Sequence, residues 1–315
     1  MLGKLKIFAG NANQPLAKEI CRYAGVRLGK CKIIKFSNEN IKVKIDESVR
    51  GKDVFVIQPS CTPVNENFME LLILIDAIKH ASAARITAVT PYYPYVRSDK
   101  KDEARISITA RLVADLLQTA GAHRVMAMNL HSPQIQGFFR IPVDHLLAGK
   151  ELCEFFKKEG TEDCVVVAPD SGSAKHAKYY AAVLQLPMAI MDKRRTDDTE
   201  NPTIHSIIGD VKGKRALIFD DEVASAGSLC QVTNVLHDLG VKEVQACCVH
   251  GVLSGSAIER IKTSNLSRLV VTDTVYIPEY KRIPQLHIIS VAELLAKAIT
   301  YTNQGKSISG LFDRY

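Results

Sequence analysis

Short apolar runs that end in Pro, Asp or Gly alternate along this chain with longer segments whose apolar residues recur every three to four positions. Runs at 53–59, 85–91 and 123–131 are separated by helical patterns at 65–80 and 106–120. The same order resumes after Pro142, with a helix near 149–158, strands at 164–169 and 188–192, and a helix at 173–184 between them. A strand at 215–220, a helix at 228–239 and a strand at 243–250 follow. Strand, helix, strand in this order builds parallel sheets covered by helices, so the pattern predicts an α/β fold. The 315 residues suit about two domains, since single cores stop growing near this size. The boundary is expected near residue 148, giving domains at 1–148 and 149–304, with 305–315 packing back on the first.

The halves also resemble each other. Laying 116–131 over 235–250 aligns Leu117 with Leu236, Gly121 with Gly240, Val125 with Val244, Ala127 with Ala246 and His131 with His250. Duplication explains this match, and so does a shared helix, Gly cap and strand order.

The richest apolar stretch, 68–78, is interrupted by Glu70 and Asp76, so no membrane span is expected. The first ten residues contain no signal-peptide core, which predicts a cytoplasmic protein. Forty-one basic against 34 acidic side chains leave a net charge of +7, a modest preference for anions. Aromatic residues are 6% and Trp is absent, a poor composition for reading nucleic acid by base stacking. Eight cysteines without a CxxC pair read as reduced core thiols rather than as zinc ligands or a disulfide framework.

The most informative segment is ALIFDDEVASAGSLCQVTNVL at 216–236. An apolar strand delivers Asp220 and Asp221 to its carboxyl end, where open α/β sheets bind ligands. Carboxylates there can accept hydrogen bonds from sugar hydroxyls or hold Mg²⁺. Ala224, Ser225, Ala226, Gly227 and Ser228 have little bulk, so backbone N–H groups can close on a phosphate at the start of the next helix. Asp170 in VVVAPDSGS stands at a second strand end, as a metal acid or as the N-cap of the helix carrying Lys175. His131 closes an apolar strand, as a metal ligand or as a hydrogen-bonded core residue. The polar segment MDKRRTDD at 191–198 reads as a solvated strand end or as a lid carrying cations to a site.

The stretch IFDDEVASAGS resembles the ribose-phosphate loop of type I phosphoribosyltransferases and of ribose-phosphate diphosphokinases. Further segments select the second family: NLHSPQIQGFFRIPVDHL at 129–146, SVRGKDVFVIQ at 48–58, the long run at 65–102, and SISGLF at 307–312. The similarity covers residues 8–312 almost without gaps, and it implies two tandem phosphoribosyltransferase-like domains. It implies transfer of the β,γ-diphosphoryl group of MgATP to the anomeric hydroxyl of ribose 5-phosphate, with Mg²⁺ as cofactor. In that resemblance Lys193 and Arg195 stabilise the transferring group, and Arg195 also reaches the ribose phosphate. Asp220, Asp221 and residues 224–228 hold ribose 5-phosphate, and His131 and Asp170 bind metal. Phe36, Asn38, Glu39, Asn40, Arg97, Ser98 and Asp99 contact ATP. A homo-oligomer, commonly hexameric, completes the ATP site from a neighbouring subunit. Ser48, Arg50, Ser82, Arg105, Gln136, Ser307 and Ser309 match a regulatory phosphate or ADP site.

Five positions depart from the usual pattern of that family. Asn129 replaces Asp before Leu130-His131, Ala224-Ser225 replaces Asp-Thr, Ser98 stands where Gln or Thr is usual, and Arg140 where an acid or Asn is usual. An acid lost beside a metal site would weaken the ion's surroundings. These departures leave two alternatives: a catalytically weak regulatory paralogue, and a phosphoribosyltransferase that consumes the product.

Overall fold

The computed structural model describes residues 3–194 and 203–312, with side chains described outside 192–194 and 203–206. The chain divides into two compact units, one of 3–148 with 273–276 and 290–312, the other of 149–272 with 277–289.

The first unit holds a five-stranded parallel sheet in the order β1 (Leu5–Ala9), β4 (Asp53–Ile57), β5 (Arg85–Thr90), β6 (Arg124–Met128), β7 (Val143–Leu146). Each residue of β4 is buried, as expected of a parallel strand covered on both faces. Helices α1 (Gln14–Ala24), α2 (Val64–His80) and α3 (Thr109–Ala120) connect these strands. The antiparallel ribbon β2 (Cys31–Lys35) and β3 (Ile41–Ile45) is a separate two-stranded sheet. Leu71, Leu74, Ile75 and Ile78 of α2 pack with Val54, Val56, Ile86, Val113 and Val125 in the core. The two acids that interrupt the apolar stretch have different fates. Asp76 is exposed, whereas Glu70 is 3% exposed and answered by hydrogen bonds described below.

The second unit is built on seven strands in the order β10 (Thr203–Ile208), β9 (Met188–Arg194), β8 (Cys164–Ala168), β11 (Arg215–Val223), β12 (Glu243–Gly251), β13 (Leu266–Thr272), β14 (Leu286–Ile289). Only the edge pair β9 and β10 is antiparallel. Helices α4 (Gly149–Glu159), α5 (Ala174–Leu184), α6 (Gly227–Asp238) and α7 (Ala257–Thr263) accompany them. Gly121 and Gly240, matched in the repeat, both have positive φ just after α3 and α6, the left-handed stop that glycine adopts most readily. The match does not extend to the histidines: β6 ends three residues before the exposed His131, while His250 lies inside β12 and is buried.

The range 149–304 expected for the second domain is corrected at its end. Helix α8 (Ala292–Asn303) packs on α1 in the first unit. Asn303 donates to the Gly3 carbonyl and to Asp53, and Arg85 donates to the Thr302 carbonyl. An amphipathic pattern marks which face of a helix is buried but not which sheet receives it. Each of the eight cysteines is a free thiol, and burial pushes Cys21 and Cys61 up to about 11, so both stay protonated and unreactive. Among the described residues no helix is long and apolar enough to cross a membrane.

Candidate active site

Adjacent parallel strands β8 and β11 bring the acids of the second unit to one edge of its sheet. Asp170 lies two residues past β8 and forms a closed turn: its Oδ1 accepts from the Ser173 amide at 2.8 Å, and the Ser173 hydroxyl donates to its carbonyl at 2.8 Å. Asp170 thus shapes the turn before α5 through Oδ1, but it is not the N-cap of that helix: Ser173 holds that position, without a side-chain cap bond.

Asp220 and Asp221 do not terminate their strand. β11 continues to Val223 because β12 is equally long, and Asp220, Glu222 and Val223 pair with Cys248, His250 and Gly251. Asp220 is solvent-exposed, yet its carboxyl is held well above the usual carboxylate range. Desolvation by the surrounding strand ends is the main cause, and the like charges of Asp221 and Asp170 add to it. The three carboxylates are near enough to act on one another as like charges, but among the described residues no group of three His, Cys, Asp or Glu side chains is arranged to hold a metal ion.

Tyr180 of α5 stacks on Phe219 of β11, with centroids 4.0 Å apart and planes within 10°. Four residues back along α5 is about 6 Å, and two residues forward along β11 about 6.6 Å, so His176 falls opposite Asp221. Burial lowers the His176 pKa, against the opposing pull of Asp221.

Beyond β11, Ala224 to Ala226 form a loop into α6. Ala226 is buried and left-handed at φ 60°, a conformation that costs an L-residue roughly 1–2 kcal/mol and persists only where neighbours enforce it. The loop carbonyls are tied down behind it. The Val223 carbonyl accepts from Val252 and Leu253 at 3.0 and 3.1 Å, that of Ala224 from Ser254 at 2.9 Å, and that of Ser225 from Arg260 Nη1 at 2.9 Å. No side chain caps α6, so the first-turn N–H groups of Gly227 and Ser228 are available to an anion. Replacement of Asp-Thr by Ala224-Ser225 leaves this backbone arrangement intact.

In the first unit, His131 does not end a strand. It follows Asn129, left-handed at φ 40°, in the turn before a 3₁₀ segment (Pro133–Phe138). Asn129 is buried and its Oδ1 accepts from the Ala148 amide at 2.8 Å, while the Leu130 amide donates to His145 Nε2 at 3.0 Å. Asn and Asp both tolerate the left-handed region, and an Asp oxygen would accept the same bond, so the turn accommodates this departure without explaining it. Arg140 is exposed, and its amide donates to Gln118.

Phe36, Asn38, Glu39 and Asn40 form the turn of the β2–β3 ribbon, with Glu39 at φ 66° and Phe36 47% exposed. A groove of about 830 Å³ runs between this turn and α2, lined by Lys35, Glu39, Asn40, Asn65, Glu66 and Met69. Asn65 also accepts a hydrogen bond from the Tyr95 hydroxyl, which joins the second nucleotide segment to the first. Arg97 is exposed and Asp99 half-buried beside it. The Ser98 hydroxyl donates to the Ser107 carbonyl and accepts from the Thr109 amide, both at 3.3 Å.

Of the regulatory set, Ser82 is joined to the Arg50-Gly51 turn through its carbonyl and the Gly51 amide. Ser48 and Arg50 are exposed there, Ser307 and Ser309 pair at 2.8 Å, Arg105 is exposed, and Gln136 donates to the Pro133 carbonyl. Lys193 lies in β9 with its side chain outside the described residues, and Arg195 lies outside them altogether. Sequence reasoning missed Glu70, whose carboxylate takes hydrogen bonds from the Asn11 amide and side chain and from Gln58 at 2.6–2.8 Å. A Cβ on Gly10 would lie 2.4 Å from both Gln58 Oε1 and Glu70 Oε1, so a side chain there would displace these two hydrogen-bonded groups. An acid inside an apolar helical run was the available signal.

Comparison with known proteins agrees with this arrangement. The family model described as the N-terminal domain of ribose phosphate pyrophosphokinase matches residues 5–121, and the phosphoribosyl synthetase-associated domain matches 195–313. A ribose-phosphate pyrophosphokinase of Caldanaerobacter subterraneus is 53% identical over 309 residues, covering 98% of each chain. One from Bacillus subtilis is 48% identical over 308 residues, covering 98% of this chain and 97% of that one. A crystal structure of phosphoribosylpyrophosphate synthetase from Mycobacterium smegmatis superposes with a TM-score of 0.90 at 42% identity, over 96% of this chain and 99% of that one. With a small-residue loop before α6 and relatives of matching length, this chain belongs to the ribose-phosphate pyrophosphokinase family.

Proposed function

We propose that the protein transfers the β,γ-diphosphoryl group of MgATP to the anomeric oxygen of ribose 5-phosphate, releasing AMP and 5-phosphoribosyl 1-diphosphate. The observation that carries this reading is the β11–α6 segment, where paired carboxylates precede an uncapped helix start whose loop carbonyls face away. The 5-phosphate is held by the amides of 226–228 and the Ser225 and Ser228 hydroxyls, and Asp220 and Asp221 accept from the ribose hydroxyls. Attack by the anomeric hydroxyl on the β-phosphorus forms the new P–O bond as the bond to the α-phosphate oxygen breaks. Such a transfer asks chiefly for alignment and for compensation of phosphate charge. Lys193 and Arg195 supply that compensation. Adenine stacks on Phe36, with Asn38, Glu39, Asn40, Arg97, Ser98 and Asp99 around the nucleoside.

Mg²⁺ is the cofactor this reaction requires, and His131 and Asp170 are the residues proposed to bind it, although among the described residues no group of three candidate ligands is arranged to hold a metal ion. Bound there, Mg²⁺ would neutralise phosphate charge. The protein works in the cytoplasm as a homo-oligomer, of hexameric type, in which a neighbouring subunit completes the nucleotide site. Ser48, Arg50, Ser82, Arg105, Gln136, Ser307 and Ser309 form its regulatory phosphate or ADP site. Phosphorus NMR of the protein with Mg²⁺, ATP and ribose 5-phosphate tests the reaction. Equal formation of AMP and phosphoribosyl diphosphate is expected, and ADP alone or no turnover would overturn it.

A further inference from the structure

The loop between β11 and α6 faces a geometric problem that its own residues do not solve. Its value to an anion lies in N–H groups turned outward, yet every peptide that presents an N–H also carries a carbonyl, and a carbonyl turned outward would repel phosphate. Ala226 supplies the reversal by adopting the left-handed region without being glycine, so an outside constraint must hold it. The carbonyls before it are anchored one after another to the segment leading into α7 and to α7 itself. Ser254 takes Ala224, and Arg260 Nη1 takes Ser225 at 2.9 Å across 35 residues of sequence. The same Nη1 is 3.7 Å from where a Cβ on Gly227 would stand, so the guanidinium lies against the first residue of α6.

We infer that Arg260 is a positioning residue for phosphate recognition: it turns the Ser225 carbonyl away from the loop's concave side and places a permanent positive charge behind the first turn of α6. The inference rests on the ribose 5-phosphate reading of this loop. Arginine suits the task because its guanidinium stays charged and its N–H donors have fixed directions, whereas an ammonium supplies charge without direction. Arg260 is exposed, so its replacement leaves the core untouched.

The test compares Arg260→Met and Arg260→Lys with the parent enzyme in steady-state turnover of MgATP and ribose 5-phosphate. Inorganic phosphate is the probe of the loop through its competitive inhibition constant against ribose 5-phosphate, which separates the loop from the regulatory phosphate site. A hydrogen bond from a charged donor is worth enough for Arg260→Met to raise KM for ribose 5-phosphate about tenfold. The phosphate inhibition constant rises in parallel, while KM for ATP and kcat stay within about twofold. Arg260→Lys recovers part of the loss. An unchanged KM and phosphate constant in Arg260→Met, or equal loss for both substrates in a variant of parental melting temperature, overturns the inference. If Arg260→Met fails to fold, Arg260→Lys decides by the same two constants. Absence of turnover in the parent refutes the reading of the reaction instead, and ribose 5-phosphate binding measured by calorimetry on the same variants still decides the role of Arg260.

Discussion

Arg85 and Asp53 begin neighbouring strands and pair directly across β4 and β5. Two charge-assisted bonds at 2.7 and 2.6 Å join them, and the Asp53 side chain is fully buried. Through them α8 is attached to the sheet, since Arg85 also holds the Thr302 carbonyl at 3.0 Å and Asp53 accepts from Asn303 at 2.8 Å. Arg85→Met keeps most of the aliphatic stem but strands a buried carboxylate, with one neutral donor left to it. Breaking a buried pair from one side costs about 3–5 kcal/mol, a large part of the ~5–15 kcal/mol that holds a typical domain together. The lower figure corresponds to more than a hundredfold loss of protection. Hydrogen exchange of the α8 amides measures it directly, because that helix opens first when its anchor goes. Asp53→Leu combined with Arg85→Met removes both charges and should restore much of the loss. If Arg85→Met lowers α8 protection less than about fivefold, a loss below ~1 kcal/mol, the anchor is not energetic. A double variant as weak as the single one would show that the cost comes from packing rather than from the stranded charge.

Asp220→Asn should raise the melting temperature of the ligand-free protein near neutral pH while depressing turnover. The folded state holds the Asp220 proton more tightly than the unfolded chain does, so stability falls as pH rises from about 4 toward its raised folded value. Melting curves across that range should lose this slope in the variant, and an unaltered slope would place its origin elsewhere. Phe36→Ala, at a residue 47% exposed, should leave the melting temperature nearly unchanged and raise KM for ATP about tenfold, the value of one base stacked on an aromatic ring; an unchanged KM would remove Phe36 from the nucleotide site.

Much of this protein was legible before any tertiary contact was known. Runs such as DVFVI and CVVVA announce buried parallel strands because a strand covered on both faces has no polar side to show. The β11–α6 loop could be found because two acids followed by five small residues serve few purposes other than a ligand. What the sequence withheld depends on partners remote along the chain. No reading of the sequence reached α8 or its place on α1, and Glu70 read only as a break in an apolar run, with neither its burial nor its donors Asn11 and Gln58 legible. Asn129 read as a lost metal acid, with neither its left-handed backbone nor its bond to Ala148 legible. Arg260, 35 positions from the carbonyl it holds, carried no local signal. Local pattern determines which groups are buried or exposed, since that follows from each residue's own chemistry and spacing. Which donor meets which acceptor is decided by packing, which brings together groups that no spacing rule relates.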